Sequence, residues 1–251
     1  MDITIAGYGF VGKAHAMVLN QTNKINVYDP ALGMHDFGEP HGVIICVSTP
    51  ARRSGGCDMR NVRDVISRTS EKAPILIRST ISIEGWRDLR KEFPNHEIAF
   101  APEFLRAATA LEDFKATDKM YIGGDRSALW HTVFRIAFND SSFTTVPVDA
   151  EVLILGKYFR NSYLATKVSF FNQVYDMCEA WDVDYEMVAG MVGKDERIGT
   201  SHTEVTEQRG YGGHCFPKDV SAILSSAKRK KVDLSILKEA QEYNRRIRKD
   251  T

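Results

Sequence analysis

Short apolar, β-branched runs recur through the first 147 positions, and amphipathic stretches long enough for helices lie between them. Residues 3–6, 25–28, 43–47, 75–78, 98–100, 119–122 and 143–147 read as successive strands. Helices are predicted near 11–20, 61–70, 84–92 and 126–137. Alternation of this kind signals a parallel sheet covered by helices, a doubly wound, Rossmann-like α/β domain over 1–148. After Pro147 the pattern changes. From Asp149, a candidate N-cap, to Trp181 there is no proline and only Gly156 among glycines, so one long helix is predicted over 149–181. Its apolar positions, among them Val152, Leu155, Phe159, Leu164, Val168, Phe171, Val174, Cys178 and Trp181, occupy more than one face. Such a helix needs cover from other helices or from a second copy of the chain. Shorter helices are predicted near 184–192, 218–230 and 235–249, giving an all-helical domain over 149–251 around one long central helix.

Composition narrows the function classes. Among 251 residues, Lys plus Arg and Asp plus Glu balance at 33 each, so no global field draws the chain to nucleic acid or an anionic membrane. The basic residues Lys228–Lys231, Arg245, Arg246, Arg248 and Lys249 read as solvated helix ends. No run approaches the ~18 apolar residues of a membrane helix, and the N-terminus opens directly as a strand, so a cytoplasmic location is expected. Cys46, Cys57, Cys178 and Cys215 show neither paired nor zinc-type spacing, so no metal and no disulfide framework are expected.

The first strand runs into Gly7, Tyr8, Gly9, Phe10, Val11 and Gly12, a GxGxxG motif with a helix after it. Glycines at these places allow a tight turn, close approach of a pyrophosphate, and close packing of helix on strand. The helix N-terminus then offers unpaired N–H groups to phosphate. Asp29, closing the second strand, is placed to accept bonds from ribose hydroxyls and to repel a 2′-phosphate, which favours NAD over NADP. FAD shares the motif and is the rival cofactor.

The second chemical signal is the stretch 209–219, RGYGGHCFPKD. Its glycines loosen the backbone, and Pro217 suits a first helical turn, placing Cys215 near a helix N-terminus where a thiolate is favoured. Cys46 and Cys178 read instead as small buried apolar groups. Lys157 and Asn161, four residues apart, share a face of the long helix and could hold an oxyanion and a hydroxyl or water; an exposed polar stripe is the alternative. Glu103, just past a strand end, is a candidate general base at the edge where open α/β sheets bind ligands.

Taken together, GYGFVG, CVSTP (46–50), RSTIS (78–82), APEFLR (101–106), KYFRNSYLATKVSFFN (157–172), DERIG (195–199) and GYGGHCFPKD (210–219) resemble the UDP-glucose/GDP-mannose dehydrogenase family, in order and along the whole chain. PEFLR, SYLATKVSF and CFPKD are more similar to its bacterial UDP-glucose branch. The resemblance implies NAD-dependent four-electron oxidation of a nucleotide sugar, UDP-glucose foremost, in a homodimer joined through the long helix. It implies Cys215 as the acyl-carrying nucleophile, Lys157 and Asn161 at the oxyanion, Asp219 in proton transfer, and Glu103 with Thr80 in hydrolysis. Ser48, Thr49, Pro50, Thr80 and Lys218 join the cofactor contacts by the same likeness. Phe104, Leu105, Arg106, Tyr211 and Gly212 join the sugar contacts, and Arg197 is implied to reach a neighbouring subunit's site. The chain departs from the family at Ala107, where a second glutamate is usual, and it lacks the nucleotide-gripping domain that usually follows residue 251, from which a weak hold on the uridine end is expected. A two-electron β-hydroxyacid dehydrogenase, also built with a KxxxN helix, and a non-catalytic NAD-binding scaffold are the competing readings.

Overall fold

The computed structural model describes residues 1–249, which divide into two units. The first comprises 1–50 and 57–157; the second comprises 51–56 and the chain from Tyr158 onward.

In the first unit, eight strands form one sheet: β1 (Asp2–Ala6), β2 (Lys24–Asp29), β3 (Met34–His35), β4 (Gly42–Ile45), β5 (Ile75–Ile77), β6 (Ile98–Phe100), β7 (Lys119–Gly124) and β8 (Thr144–Pro147). Their spatial order is β3-β2-β1-β4-β5-β6-β7-β8, the doubly wound arrangement expected from the alternating pattern. The interior strands are fully buried, with Ile3, Ile5, Val43–Ile45 and Ile75–Ile77 all inaccessible, which is why they read as continuous apolar runs. The sheet is not wholly parallel, however. β3 pairs antiparallel with β2, and β7 antiparallel with β6. Period-two patterning reports which face a residue occupies and not the direction of its strand.

Helices α1 (Phe10–Leu19), α2 (Arg60–Arg68), α3 (Ile83–Glu92), α4 (Ala110–Lys115) and α5 (Ser127–Phe138) cover the sheet. Phe114 of α4 and Trp130 and Phe134 of α5 are inaccessible, and His15 of α1 stacks on Phe114 at 4.1 Å between ring centres. Each buried phenylalanine contributes roughly 1.5–3 kcal/mol by leaving water. The single turn and a half of α4 was not expected, being too short to show periodicity.

α6 (Ala150–Ala180) is the long helix, and Asp149 caps its start by accepting the Glu151 N–H at 2.7 Å. The expected boundary at 148 falls short of the observed division because the first two turns of α6 belong with the sheet. There Ala150, Leu153 and Ile154 are buried, and Glu151 pairs with Arg87 of α3 at 2.6 Å.

The second unit contains the rest of α6 with α7 (Tyr185–Gly193), α8 (Phe216–Arg229) and α9 (Ser235–Ile247). Phe171, Cys178, Tyr185 and Ala189 form its apolar cluster. Segment 51–56 joins this unit, with Gly55 against Ser221 and Ser225 of α8. Among the described residues, no helix is long and apolar enough to cross a membrane, and no cluster of side chains suits a metal ion.

Candidate active site

The glycine motif occupies the turn between β1 and α1, and its backbone explains its composition. Gly7 has φ +92°, and a Cβ there would lie 2.6 Å from the backbone of Cys46 and Val47 at the end of β4. At Gly12 a Cβ would lie 1.9 Å from the Gly7 carbonyl oxygen. Gly9 is different: a Cβ there meets nothing within 4 Å. It is the N-cap of α1 with no side chain bonded to the helix end and no acidic residue in the first turn. The open space thus faces helix N–H groups, the environment a pyrophosphate requires. Asp29 accepts the Tyr8 N–H at 2.7 Å through one oxygen, which fixes the carboxylate beside the motif and leaves its other oxygen for ribose hydroxyls. These residues fit NAD. Thr49 is buried and its hydroxyl donates to the Thr80 carbonyl at 2.7 Å, joining two implied cofactor residues, while Ser48 and Pro50 are exposed.

Past the ends of β5 and β6 lies an ionic pair. Lys157 Nζ donates to Glu103 Oε1 at 2.7 Å and to the Glu103 carbonyl at 3.1 Å. The two side chains are 4% and 11% exposed, so the contact is shielded from water. Burial pushes the Glu103 carboxyl up, but the Lys157 ammonium, the Leu105 N–H at 2.9 Å and the Arg78 charge together hold it below the ordinary glutamate range. The lysine expected at an oxyanion therefore has a carboxylate as its partner here, and Glu103 is an ionised group held by that lysine. Arg78 is buried, and its Nη1 donates to the carbonyls of Ala101 and Pro102 at 2.9 and 3.1 Å. Cys46 stands within the influence of Arg78 and Glu103, and enclosure pushes its thiol up to about 12.

In the second unit, Cys215 is the N-cap of α8, with Pro217 in the first turn, as the spacing predicts. Its side chain is exposed. Asp219, one turn on, is inaccessible to solvent and accepts from Lys218 Nζ at 2.5 Å and from Asn161 Nδ2 at 2.7 Å. Asn161, expected to hold a water or hydroxyl, is thus committed to the carboxylate. Lys218, implied as a cofactor contact, neutralises the same carboxylate.

Other implied substrate residues are variously placed. Leu105 packs on the core, Phe104 is 42% exposed, and Arg106 is bound to Asp113 at 2.6 Å. Ala107 is exposed in a short turn. Arg197 is bidentate on Asp195, at 2.9 and 2.5 Å, on the surface. Tyr211 is buried, its enclosed phenol pushed up to about 12.

Sequence reasoning missed the residues that hold the glycine-rich loop. Asn244 of α9 accepts the Tyr211 N–H at 2.6 Å and donates to the Tyr211 carbonyl at 3.0 Å. Asn172 of α6 accepts the Gly210 N–H at 3.0 Å and the Arg209 Nε–H at 2.9 Å. An asparagine inside a helix is a poor helix former, which is the signal that could have marked both.

Residues 36–137 match the model of the NAD binding domain of the UDP-glucose/GDP-mannose dehydrogenase family, and residues 150–246 match that of its central domain. The glycine motif precedes the first match and rests on its own geometry. Among curated relatives, a UDP-glucose 6-dehydrogenase of Rickettsia felis is 30% identical over 240 residues, covering 92% of this chain and 52% of the relative. The chain thus spans about half the length of the curated relatives it matches. A UDP-glucose dehydrogenase from the archaeon Pyrobaculum islandicum shares the fold at a TM-score of 0.82 and 23% identity, over 98% of this chain and 68% of that one. A 3-hydroxyisobutyrate dehydrogenase of Mycobacterium tuberculosis shares it at a TM-score of 0.74 and 15% identity, over 97% of this chain and 92% of that one. With both family domains matched in order along most of its length, this chain belongs to the UDP-glucose/GDP-mannose dehydrogenase family.

Proposed function

We propose that the chain carries the oxidising machinery of an NAD-dependent nucleotide-sugar 6-dehydrogenase, acting on UDP-glucose to give UDP-glucuronate in a four-electron oxidation. The observation that carries this reading is Cys215, an exposed thiol at the start of α8, one turn before the buried Asp219. A helix N-terminus favours the thiolate, the form that adds to an aldehyde.

NAD, when bound, is the hydride acceptor, and the residues that would hold it are Gly7, Tyr8, Gly9, Phe10, Val11, Gly12, Asp29, Ser48, Thr49, Pro50, Thr80 and Lys218. The work of the remaining side chains follows from their chemistry. Asp219, through an ordered water, takes the proton leaving the C6 hydroxyl, while Asn161 fixes its carboxylate. The Cys215 sulfur adds to the C6 aldehyde and keeps that reactive carbon bound through the second oxidation, as a thiohemiacetal and then a thioester. Lys157 supplies positive charge where oxyanions develop, a large contribution in an enclosed site. Glu103, exchanging its lysine contact for a water, assists hydrolysis of the thioester with Thr80. Phe104, Leu105, Arg106, Arg197, Tyr211 and Gly212 complete the sugar contacts in this reading.

The functional unit in this proposal is a homodimer joined through α6. Phe159, Tyr163, Phe170, Met177 and Trp181 recur at four- and seven-residue intervals and are each 46–75% exposed, a stripe of the kind that packs against a second helix. The sequence features above also favour a cytoplasmic protein with neither nucleic acid nor membrane as partner.

One observation favours a second reading: the chain shares its fold with the 3-hydroxyisobutyrate dehydrogenase named above over 97% of its length. A two-electron oxidation of that type has no use for Cys215. The test is NADH formation from UDP-glucose, GDP-mannose, UDP-N-acetyl sugars and β-hydroxyacids, in the native chain and in Cys215→Ser. The proposal expects turnover on UDP-glucose, stalled in the serine variant. Turnover on a β-hydroxyacid, unchanged by the substitution, would favour the second reading. NAD binding with no turnover on any of them would favour a scaffold.

A further inference from the structure

Arg78 is a buried cation for which the proposed chemistry has no use. It follows β5 directly, and β5 and β6 pair in parallel with Ile77 opposite Phe100. The ladder continues one step further, since the Ala101 N–H donates to the Ile77 carbonyl at 3.1 Å. Arg78 is itself anchored, its N–H donating to the Ile45 carbonyl of β4 at 2.8 Å. From that point its guanidinium crosses to the next strand end and donates to the carbonyls of Ala101 and Pro102, the two residues immediately before Glu103.

A guanidinium only 4% exposed is costly to enclose, and burial lowers its affinity for the proton. Its Nε is buried with no hydrogen-bond partner, so two carbonyls do not satisfy it. The carboxylate acting on it is Glu103, which is also the partner of Lys157. Two enclosed cations thus converge on one carboxylate, and Ala107 supplies no second one. A residue serving packing alone would fill this place more cheaply with an apolar side chain.

We infer that Arg78 is a positioning residue: by tying the carbonyls of Ala101 and Pro102 to the end of β5, it sets the turn that aims the Glu103 carboxylate at the Lys157 ammonium. Its charge adds to that of Lys157 in keeping the carboxylate ionised, while Cys46, its thiol pushed up to about 12, is neutral where Glu103 titrates. The use made of Glu103 in hydrolysis rests on the proposed function; the positioning itself does not.

The test is a ¹³C-carboxyl NMR titration of the native chain, with the Glu103 signal assigned by its loss in Glu103→Gln. In the native protein Glu103 should remain ionised as pH falls well below the ordinary glutamate range. In Arg78→Met its midpoint should rise by about one unit or more, with Arg78→Lys restoring most of the difference. Arg78→Gln, which still donates to a carbonyl, makes the same comparison should the methionine variant not fold. A folded variant lacking the charge, with the Glu103 titration of the native protein, would overturn the inference. In a chain that turns over UDP-glucose, Arg78→Met should leave KM for the sugar near its native value and lower kcat, with Arg78→Lys recovering most of the loss. A chain with no turnover defeats the proposed function, and the titration still decides the role of Arg78.

Discussion

Replacing Lys157 by methionine leaves the Glu103 carboxylate enclosed without its cation. The paired side chains are 4% and 11% exposed, so solvent cannot take the place of the ammonium. Removing one member of a buried pair costs about 3–5 kcal/mol. Glu103 keeps the Leu105 N–H at 2.9 Å and the nearby charge of Arg78, which places the expected loss at the lower end, about 3 kcal/mol. Substituting Glu103 by Gln in the same chain removes the stranded charge, so the double variant should return to within about 1 kcal/mol of the native protein. The assay is urea denaturation followed by tryptophan fluorescence, since Trp86 and Trp130 are 8% and 0% exposed in the sheet unit. The pH dependence follows from the direction of the Glu103 shift. In the native chain its folded pKa lies below the unfolded value, so the pair's contribution is present above the unfolded pKa and disappears as pH falls through the folded one. In Lys157→Met burial dominates and lifts the folded pKa above the unfolded value, so acid protonates and relieves the folded state. The stability gap between native and variant should therefore begin to narrow above about 4.5, as the variant's raised carboxyl protonates, and go on narrowing below it as the native pair is lost. A loss under about 1 kcal/mol at neutral pH, the value of a surface pair, or a gap independent of pH, would refute the reasoning.

Three further outcomes are expected. Gly7→Ala, forced to φ +92° with its methyl against the Cys46 backbone, should lose NAD binding by calorimetry and more than about 1 kcal/mol of stability. Iodoacetamide near neutral pH should label Cys215 well before the other thiols, because Cys57 and Cys178 are buried and the Cys46 thiol is pushed up to about 12; mass spectrometry after brief exposure checks this. Tyr163→Glu with Phe170→Glu places charge on side chains 64% and 56% exposed along α6, and should convert a dimer to a monomer in light scattering with the fold retained.

How much of this was legible in the sequence differs by feature. The glycine turn and Asp29 could be read because local spacing fixes them: Gly7 and Gly12 have backbone where any other residue would have a side chain. The long helix could be read because proline is missing and glycine nearly so, and Cys215 reached the start of α8 because Pro217 marks a first turn. The direction of β7 could not be read, since either orientation presents the same alternating residues. β3 is two residues long and carries no pattern at all. The partnerships at the site lie beyond local reading, because Lys157 and Glu103 are 54 positions apart, and Asn161 and Asp219 are 58 apart. Reasoning from residue type gave Lys157 and Asn161 external ligands, whereas folding first satisfies polar groups shielded from water internally. Arg78 escaped notice because an arginine ending a strand reads as a solvated boundary, and only the register of β5 on β6 shows that it turns inward.

The central claim, a four-electron oxidation carried on Cys215, is tested most directly by counting NADH formed for each UDP-glucose consumed and identifying the product. The account predicts two NADH and a uronic acid for each sugar, with Cys215→Ser unable to complete the second oxidation. One NADH per sugar with an aldehyde released, or a serine variant that still yields the acid at the native rate, would contradict it.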